Sequence, residues 1–393
     1  MRTVPLRRIA AVVNGGTPTA DASNWGGEVP WATPVDLGRH DGSAIRVTER
    51  TLTDRGLETG SAVVPAGSII LSTRAPIGYV CVNQVAMAFN QGCRGLVPRP
   101  FVSSEYLRYV LLHLRPYLQA AGTGSTFMEL STGALASMPI PVVGDRGHQD
   151  AVVDFLDRET AKIDALIATQ EHLLDLLNER ADAMRKVWTI GRSTGVRSAR
   201  IGQVLMRLER LPREPAPIVT AYRDGQVTSR ESRREEGYTL SFTEHGYQGV
   251  EAGDLVFHGL DGFAGAVGVA ELSGKCSPVY HVCRAREGHD AEYLAHHIRA
   301  LGVSGMLEKF AWSVRQRSAD YRNWALFAAL PIATPSLGEQ REAANEIRRA
   351  NERASALRTA AKTCIDLLRE RRSALITAAV TGRLDVTTYG KAG

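Results

Sequence analysis

Apolar residues recur every seven positions in two long segments of the chain, residues 149–191 and 340–382. This spacing places the apolar side chains on one stripe of an α-helix, and a helix of about forty residues is roughly 60 Å long. We predict one long helix in each segment and expect the two to pair as a coiled coil. The alternative is that each helix packs only on its own globular domain. The stripes are Leu156, Ile163, Gln170, Leu177 and Met184, and Ile347, Ala354, Ala361, Leu368 and Leu375.

The two helical segments are copies of each other. They align without a gap at an offset of 191 residues, and both carry Asp-Leu-Leu-x-Glu-Arg, at 175–180 and 366–371. Ala66-Gly67 and Ala252-Gly253 open similar runs further upstream at an offset of 186 residues, a drift that changes in loop length produce. We therefore predict two globular domains in tandem, each followed by a long helix. The expected boundaries are 1–142, 143–191 (first helix), 197–334, 335–385 (second helix) and a tail at 386–393.

Capping signals support these helix starts. Ser336 and Glu339 have the spacing of a capping box, in which each side chain satisfies a free amide of the first turn. The first helix has Asp145 in the comparable place but His148 instead of a glutamate, so its start is less sharply specified.

The globular parts predict a mixed α+β fold. Short apolar runs bounded by Gly and Pro are typical of strands, and there is no regular strand-helix alternation of a doubly wound sheet. Gly262, Gly265 and Gly268 form G-x-x-G-x-x-G, which favours a tight strand-turn-strand over a dinucleotide loop. The expected strands are 68–71, 78–82, 254–257 and 265–270, and the expected helices are 105–118 and 291–307.

Composition restricts the class of protein. The chain has 393 residues, 44% hydrophobic and 23% charged, a globular balance that allows two domains with cores. No apolar run approaches the ~20 residues of a membrane span, and the apolar stretch near the N-terminus is too short for a secretory signal. We expect a cytoplasmic protein without a membrane partner.

Cysteine and histidine do not indicate a metal site. The five cysteines are scattered without a C-x-x-C pair, so we expect them to be reduced and mostly buried. His296-His297 and His281 with Cys283 lack a second ligand pair at a recognised spacing. We expect neither a metal nor a cofactor.

The basic residues are mostly arginine. The net charge is +5, and only six basic residues are lysine. Arginine presents planar, bidentate donors that suit phosphates and guanine edges, which is compatible with nucleic acid binding. A GC-rich genome produces the same bias, so composition alone does not decide.

Several segments in order resemble one known family, the specificity subunits of Type I restriction-modification systems. The resemblance covers nearly the whole chain. The segments are GGTPTADASNWGGEVPWATPVDL (15–37), PAGSIILSTRAPIGYVCV (65–82), NQGCRGLVP (90–98), LSTGALASMPIPVV (130–143), PSLGEQ (335–340) and LLRERRSALITAAVTG (367–382). The first helix departs from the family pattern, with VVGDRGHQ (142–149) at its start.

The resemblance implies a function and partners. Such subunits have two target recognition domains, each reading one half of a split DNA sequence, held apart by two long helices that pack antiparallel. The helices dock two adenine methyltransferase subunits, and a motor-nuclease subunit can join the complex. The resemblance implies no catalytic site, and the sequence has neither an Asn/Asp-Pro-Pro-Tyr motif nor a phosphate-binding GxxxxGK[ST] loop.

We place the DNA contacts on polar turns, because base readers need donors and acceptors that reach phosphates and base edges. The alternative for each of these residues is that it forms a surface ion pair or a structural contact and does not bind DNA. The candidates in the first domain are Ser72, Thr73, Arg74, Gln91, Arg94 and the loop 122–126, with Gly124 and Ser125. Those in the second domain are Arg223, His258, Arg315, Gln316, Arg317 and Arg322.

Two other classes of function stay open at this point. One is an assembly protein whose helices recruit partners and whose globular domains bind protein rather than DNA. The other is a self-sufficient nucleic-acid enzyme, which the missing motifs disfavour. Binding to duplex DNA that weakens with salt separates a DNA-reading specificity subunit from an assembly protein, since phosphate contacts release counterions.

Overall fold

The computed structural model describes residues 2–124, 128–191, 196–233, 246–310, 314–315, 318–386 and 388. The helices are α1 (Leu6–Ile9), α2 (Pro34–Arg39), α3 (Asp54–Gly60), α4 (Ser104–Ala120), α5 (Thr132–Ser137), α6 (Arg146–Trp188), α7 (Ile201–Val204), α8 (Ala291–Val303), α9 (Met306–Phe310), α10 (Trp324–Ala328) and α11 (Leu337–Val380). The strands are β1 (Arg2–Pro5), β2 (Ala10–Asn14), β3 (Trp25–Ala32), β4 (Ala44–Ile45), β5 (Arg50–Leu52), β6 (Val63–Val64), β7 (Ile69–Ser72), β8 (Val80–Asn83), β9 (Met87–Phe89), β10 (Cys93–Pro98), β11 (Pro139–Val142), β12 (Ser198–Arg200), β13 (Leu205–Arg207), β14 (Val219–Ala221), β15 (Val227–Ser229), β16 (Gln248–Val250), β17 (Leu255–His258), β18 (Val267–Val269), β19 (Gly274–Cys276), β20 (Tyr280–Ala285), β21 (Val314–Arg315), β22 (Ser318–Ala319) and β23 (Pro331–Ala333). The predicted mixture of helices and sheets is confirmed.

The chain divides into two compact units. Unit 1 consists of Met1–Gln170 with Thr363–Gly393, and unit 2 consists of Glu171–Lys362. Each unit therefore combines one globular part with a section of α6 and a section of α11.

Unit 1 is built on a five-stranded sheet in the order β2-β10-β7-β8-β4. All residues of β7 and β8 are buried, because both faces of this sheet are covered. Side chains alternate between the faces with the two-residue period of a strand. Ile69 and Leu71 join a core with α4 and the long helices, whereas Ile70 joins a second core with Leu37 and Phe89.

Unit 2 repeats this strand order. Its four-stranded sheet runs β13-β20-β17-β18, as β2-β10-β7-β8 does in unit 1. Leu255 and Phe257 face the core of α8, and Val256 faces a second core with Val250. A short pair also recurs before each long helix, β1 with β11 and β12 with β23. The repeat seen in the sequence thus corresponds to one strand order used in both units.

A buried glutamine at the start of each long helix also recurs. The Gln149 side-chain oxygen accepts a hydrogen bond from the Ser103 amide at 2.9 Å, just before α4. The Gln340 oxygen accepts one from the Asp290 amide at 2.9 Å, just before α8. Both glutamines are almost fully buried. These hydrogen bonds connect the N-terminus of α4 to α6 in unit 1, and the N-terminus of α8 to α11 in unit 2.

The predicted heptad stripes are the buried stripes of the long helices. Leu156, Ile163 and Leu177 are at most 7% exposed in α6. Ile347, Ala354 and Ala361 are buried in α11, and Gln170, Met184, Leu368 and Leu375 are partly buried.

Contacts between α6 and α11 occur inside each unit. In unit 1, Arg372 Nε donates to Asp164 Oδ1 at 2.9 Å. In unit 2, Arg358 Nε donates to Asn178 Oδ1 at 3.2 Å. Each unit therefore contains contacting sections of the two helices.

The predicted capping box at Ser336 is confirmed. The Ser336 hydroxyl and amide both donate to Glu339 Oε2, at 2.7 and 2.9 Å. At the start of α6, Asp145 Oδ1 accepts from the His148 amide at 2.9 Å. The first helix thus has a single side-chain cap where the second has a reciprocal one.

The glycine-rich stretch is a strand-turn-strand, as predicted. β17 pairs with β18 in antiparallel register, and Gly265 in the turn has φ 95°, a left-handed conformation that favours glycine. The predicted helix at 291–307 was too long. α8 ends at Val303 because the chain turns at Gly305, which has φ 73°, before α9 begins.

None of the helices in the described ranges combines the length and the apolar character that a membrane crossing requires.

Candidate nucleic-acid interface

The hydroxyl groups predicted on the turn after β7 lie inside unit 1. Ser72 Oγ donates to the Pro76 carbonyl at 2.7 Å and accepts from the Tyr79 amide at 2.9 Å. Thr73 Oγ1 donates to the Gly92 carbonyl at 3.2 Å. Both residues are 0% exposed, so these hydroxyls shape the turn and do not reach the surface.

The other predicted residues of this region meet around Glu129. Arg74 Nε lies 3.1 Å from Glu129 Oε2, and Arg94 Nη2 lies 3.5 Å from Glu129 Oε1. Gln91 is exposed, and its side-chain oxygen accepts a hydrogen bond from the Thr17 hydroxyl. We call these five residues the Glu129 cluster.

Arg94 is the buried member of the Glu129 cluster. Its side chain is 11% exposed, whereas that of Arg74 is 45% exposed. Arg94 Nη1 donates to the Gln91 and Cys93 carbonyls at 2.8 and 2.9 Å. Its Nε donates to Thr132 Oγ1 at 3.0 Å. The guanidinium therefore joins two chain segments, 91–94 and 129–132, beside the exposed residues Arg74 and Gln91.

The predicted glycine-rich loop adjoins the same cluster. Thr123 and Glu129 exchange two backbone hydrogen bonds of 3.0 Å, which close the loop that Gly124 begins. Ser125 lies outside the described residues. Glu129 and Thr17 were missed by sequence analysis, because the contacts span 55 and 74 residues of chain.

In unit 2, Arg223 and His258 lie in one cleft. The cleft has a volume of about 670 Å³ and is lined among others by Tyr222, Arg223, Arg230, Arg233, His258 and Asp261. We call it the arginine cleft. Arg223 and Asp224 come from the turn between β14 and β15, Arg230 and Arg233 follow β15, and His258 ends β17.

Carboxylates hold two of the three arginines in this cleft. Arg223 Nη2 lies 2.9 Å from Asp261 Oδ1, and Arg233 Nη2 lies 2.8 Å from Asp224 Oδ2. Burial favours the protonated form of Asp224, but hydrogen bonds from Arg233 and the Gln226 amide outweigh it and lower the pKa of Asp224. Both aspartates are thus engaged as acceptors.

His258 is a fixed, neutral member of the cleft. Its Nδ1 accepts from the Leu260 and Asp261 amides at 3.2 and 2.9 Å. Burial lowers the pKa of His258 below its usual value, against the opposing effect of Asp261. The proton of the neutral ring is therefore on Nε2. The ring meets Tyr280 edge to face at 4.6 Å.

Of the remaining candidates of unit 2, only the side chain of Arg322 is described, and it is not among the residues that line this cleft. Arg322 is exposed and paired with Asp320, with Nη2 2.7 Å from Oδ2, and this hydrogen bond raises the pKa of Arg322. Arg315 lies in β21, where only its backbone is described, and Gln316 and Arg317 lie outside the described residues.

No group of three or more His, Cys, Asp or Glu side chains in the described part of the chain has a geometry that can hold a metal ion. Cys81, Cys93, Cys276 and Cys283 are free and buried. Burial raises the pKa of Cys81, Cys276 and Cys283 to about 12, so these thiols stay protonated.

Residues 1–174 match the family model of the Type I restriction modification DNA specificity domain. The match covers the first globular part and most of the first long helix. Among curated proteins, the chain is similar to the Type I restriction enzyme MjaIX specificity subunit of Methanocaldococcus jannaschii, with 33% identity over 189 residues. The match covers 47% of this chain and 43% of that protein, so it spans less than half of the relative.

Solved structures show the same fold over the whole chain. One chain, described under "Structural basis underlying complex assembly and conformational transition of the type I R-M system", matches with a TM-score of 0.66, covering 98% of both chains at 14% identity. The HsdS subunit from Thermoanaerobacter tengcongensis matches with a TM-score of 0.51 and 14% identity, covering 98% of this chain and 97% of that one. At this identity the likeness shows the fold alone.

Sequence reasoning missed several residues of the arginine cleft. Tyr222, Arg230, Arg233 and Asp261 were not selected as contact residues. The basic run SRESRR (229–234) was a visible signal for Arg230 and Arg233. Tyr222 gave no signal, since its position depends on the turn that the next strand closes.

Proposed function

We propose that this chain is the specificity subunit of a Type I restriction-modification complex and reads a bipartite, asymmetric DNA sequence. Each globular part would contact one half of the target. The observation that carries the proposal is the use of one strand order in both units with different polar surfaces, the Glu129 cluster in one and the arginine cleft in the other. A shared fold with different loops suits two modules that bind different sequences.

The domain organisation follows from the same proposal. The target recognition domains would be 1–142 and 197–334, with helical spacers at 143–191 and 335–385 and a tail at 386–393. The helices would pair as an antiparallel coiled coil and set the distance between the two half-sites. Support comes from the buried heptad stripes and from the contacts Asp164 with Arg372 and Asn178 with Arg358, in which later residues of α6 contact earlier residues of α11.

The partners in this proposal are double-stranded DNA, two adenine methyltransferase subunits and a motor-nuclease subunit. Chemistry would belong to those subunits, and the chain itself would be non-catalytic. Exposed apolar residues on the long helices support partner docking, because a partner that covers them removes their apolar surface from water. They are Leu166, Leu176 and Val187 on α6, and Leu357 and Leu367 on α11.

Comparing adenine methylation of the host genome with and without this gene tests the proposal. We expect one methylated motif to disappear, with two specified parts of different sequence separated by an unspecified spacer. The control is complementation with the intact gene, which must restore the same motif. A lost motif that is continuous or palindromic contradicts the proposal.

The exposed apolar residues on the helices also favour a second candidate, an assembly protein that recruits partners without binding DNA. That candidate predicts partner binding and unchanged host methylation after the gene is deleted. It also predicts that affinity for duplex DNA does not fall steeply with salt.

A further inference from the structure

We propose that the arginine cleft binds a backbone phosphate of the DNA contacted by unit 2, with Arg230 as its principal ligand. This inference rests on the proposed function and adds a defined site to it. The cleft volume of about 670 Å³ lies in the range of nucleotide-sized ligand sites.

Arg230 is the arginine of the cleft that is paired with neither aspartate. Asp224 and Asp261 already accept from Arg233 and Arg223. Within the described residues, the Arg230 guanidinium has neither an ion pair nor a hydrogen bond, although it lines the cleft. A guanidinium without an acceptor, beside two neutralised pairs, favours an anion with several acceptor oxygens.

Tyr222 provides an independent observation. Its hydroxyl is buried and has no hydrogen-bond partner among the described residues. The Arg233 guanidinium lies over its ring at 4.3 Å from the centroid, which fixes the ring beside the cleft. A buried hydroxyl without a partner is unfavourable in the unliganded protein, so a phosphate oxygen at this position would relieve it.

The turn that carries Tyr222 and Arg223 is fixed by hydrogen bonds within the turn and from Arg299. The Tyr222 and Gln226 backbones are hydrogen-bonded across the turn at 2.9 Å, and Gly225 has φ 92°. The buried Arg299 donates through Nη2 to the Arg223 carbonyl at 3.0 Å. The donors of the cleft are therefore largely positioned before a ligand arrives, which reduces the ordering cost of binding.

A free nucleotide offers the same phosphate chemistry as the DNA backbone. We favour the backbone because the cleft lies at the ends of β14, β15 and β17, where surface turns bring Arg230 beside Arg223 and Arg233. A duplex presents successive phosphates to such a surface. Titration with AMP alone and titration with duplex DNA distinguish binding of a free nucleotide from binding of the DNA backbone.

The test uses the full chain and a pool of short random-sequence duplexes, with affinity measured over a series of KCl concentrations. Each phosphate contact contributes about 0.9 to the slope of log affinity against log salt. We expect Arg230→Ala to reduce the magnitude of the slope by about one. Arg230→Lys should keep the slope and weaken binding, because it preserves the charge and loses the planar donor pair. Arg353→Ala, which removes an exposed arginine of α11, is the matched control and should leave the slope unchanged.

Tyr222→Phe separates a ligand role from a structural role. We expect weaker DNA binding with an unchanged salt slope, because the hydroxyl carries no charge. The melting temperature of the unliganded variant should stay the same or rise, since the lost hydroxyl has no partner. A lower melting temperature with unchanged DNA affinity would assign the hydroxyl to folding and overturn its part in the site.

The outcomes distinguish the two proposals. If the wild-type chain shows no salt-dependent binding, the proposed function fails. If the wild type binds with a steep slope and Arg230→Ala retains it, the cleft proposal alone is wrong. Saturable AMP binding that Arg230→Ala abolishes, with an unchanged DNA slope, would assign the cleft to a free nucleotide and also overturn the proposal.

Discussion

Arginines are held differently in the two units. In unit 1, Arg94 is buried and donates to carbonyls, a hydroxyl and Glu129, while Arg74 and Gln91 are exposed. In unit 2, Arg223 and Arg233 pair with aspartates in an open cleft, and Arg230 has no side-chain partner among the described residues. One strand order thus supports a polar cluster around a buried arginine in one unit and an arginine-lined cleft in the other.

The units also differ in their buried histidines. In unit 2, burial lowers the pKa of His258, His281, His289, His296 and His297, whereas among the described residues of unit 1 it lowers the pKa of His113. Neutral imidazoles in a core make folding sensitive to acid.

Mild acid should destabilise unit 2 more than unit 1. Burial lowers the pKa of His297 from 6.5 to about 4. The unfolded chain binds this proton below pH 6.5, whereas the folded protein resists it until about pH 4. Stability is therefore full above pH 6.5 and is lost as the pH falls toward 4, on the order of 3 kcal/mol for this residue.

Hydrogen exchange followed by mass spectrometry between pH 7 and pH 4 measures this loss for each unit. His297→Gln is the matched variant, because it retains a hydrogen-bonding side chain toward the Tyr293 hydroxyl without titrating. We expect it to flatten the pH dependence of unit 2. An unchanged pH dependence in this variant would show that His297 is not the cause.

Removing Arg94 from unit 1 should destabilise the protein more than removing Arg230 from unit 2. Arg94→Ala leaves the carbonyls of Gln91 and Cys93 and the Thr132 hydroxyl without their donor, at a cost of about 2 kcal/mol. Arg230→Ala removes no described contact and should change the free energy of unfolding by less than about 0.5 kcal/mol. Urea unfolding measures both, and equal effects would remove the distinction drawn between the two surfaces.

The repeated glutamines should show the opposite behaviour, an equal effect in both units. Gln149→Ala and Gln340→Ala each leave a backbone amide without its acceptor, that of Ser103 or Asp290, and each should cost about 1.5 kcal/mol. Urea unfolding of the two variants provides the comparison. Gln170→Ala, on the same helix but partly exposed, is the control. A large loss of unfolding free energy for one variant alone would show that the two glutamines are not equivalent.

The helices were the most predictable part of the molecule. Their length, caps and buried stripes follow from residues close in sequence, as at Ser336 and Glu339 or along Leu156 and Ile163. The end of α8 was less predictable, because a single left-handed residue, Gly305, stopped a helix whose apolar pattern continued.

The contact surfaces were harder to predict. Ser72 and Thr73 had the right chemistry on the right turn, but folding directed their hydroxyls inward. Arg223 and His258 were selected from separate turns, and they lie in one cleft because β14 and β17 bring those turns together. The assignments of all these residues to DNA stay predictions.

The duplication can be read directly from the chain, and the mixed α and β character and the two amphipathic helices follow from periodicity over neighbouring residues. Which polar side chains are engaged depends on how distant segments pack together. Arg94 in β10 and Arg230 after β15 are the same residue type, yet Arg94 is enclosed by acceptors from two segments, whereas the Arg230 guanidinium has no acceptor among the described residues. That difference arises from contacts between residues far apart in the chain, which local pattern does not encode.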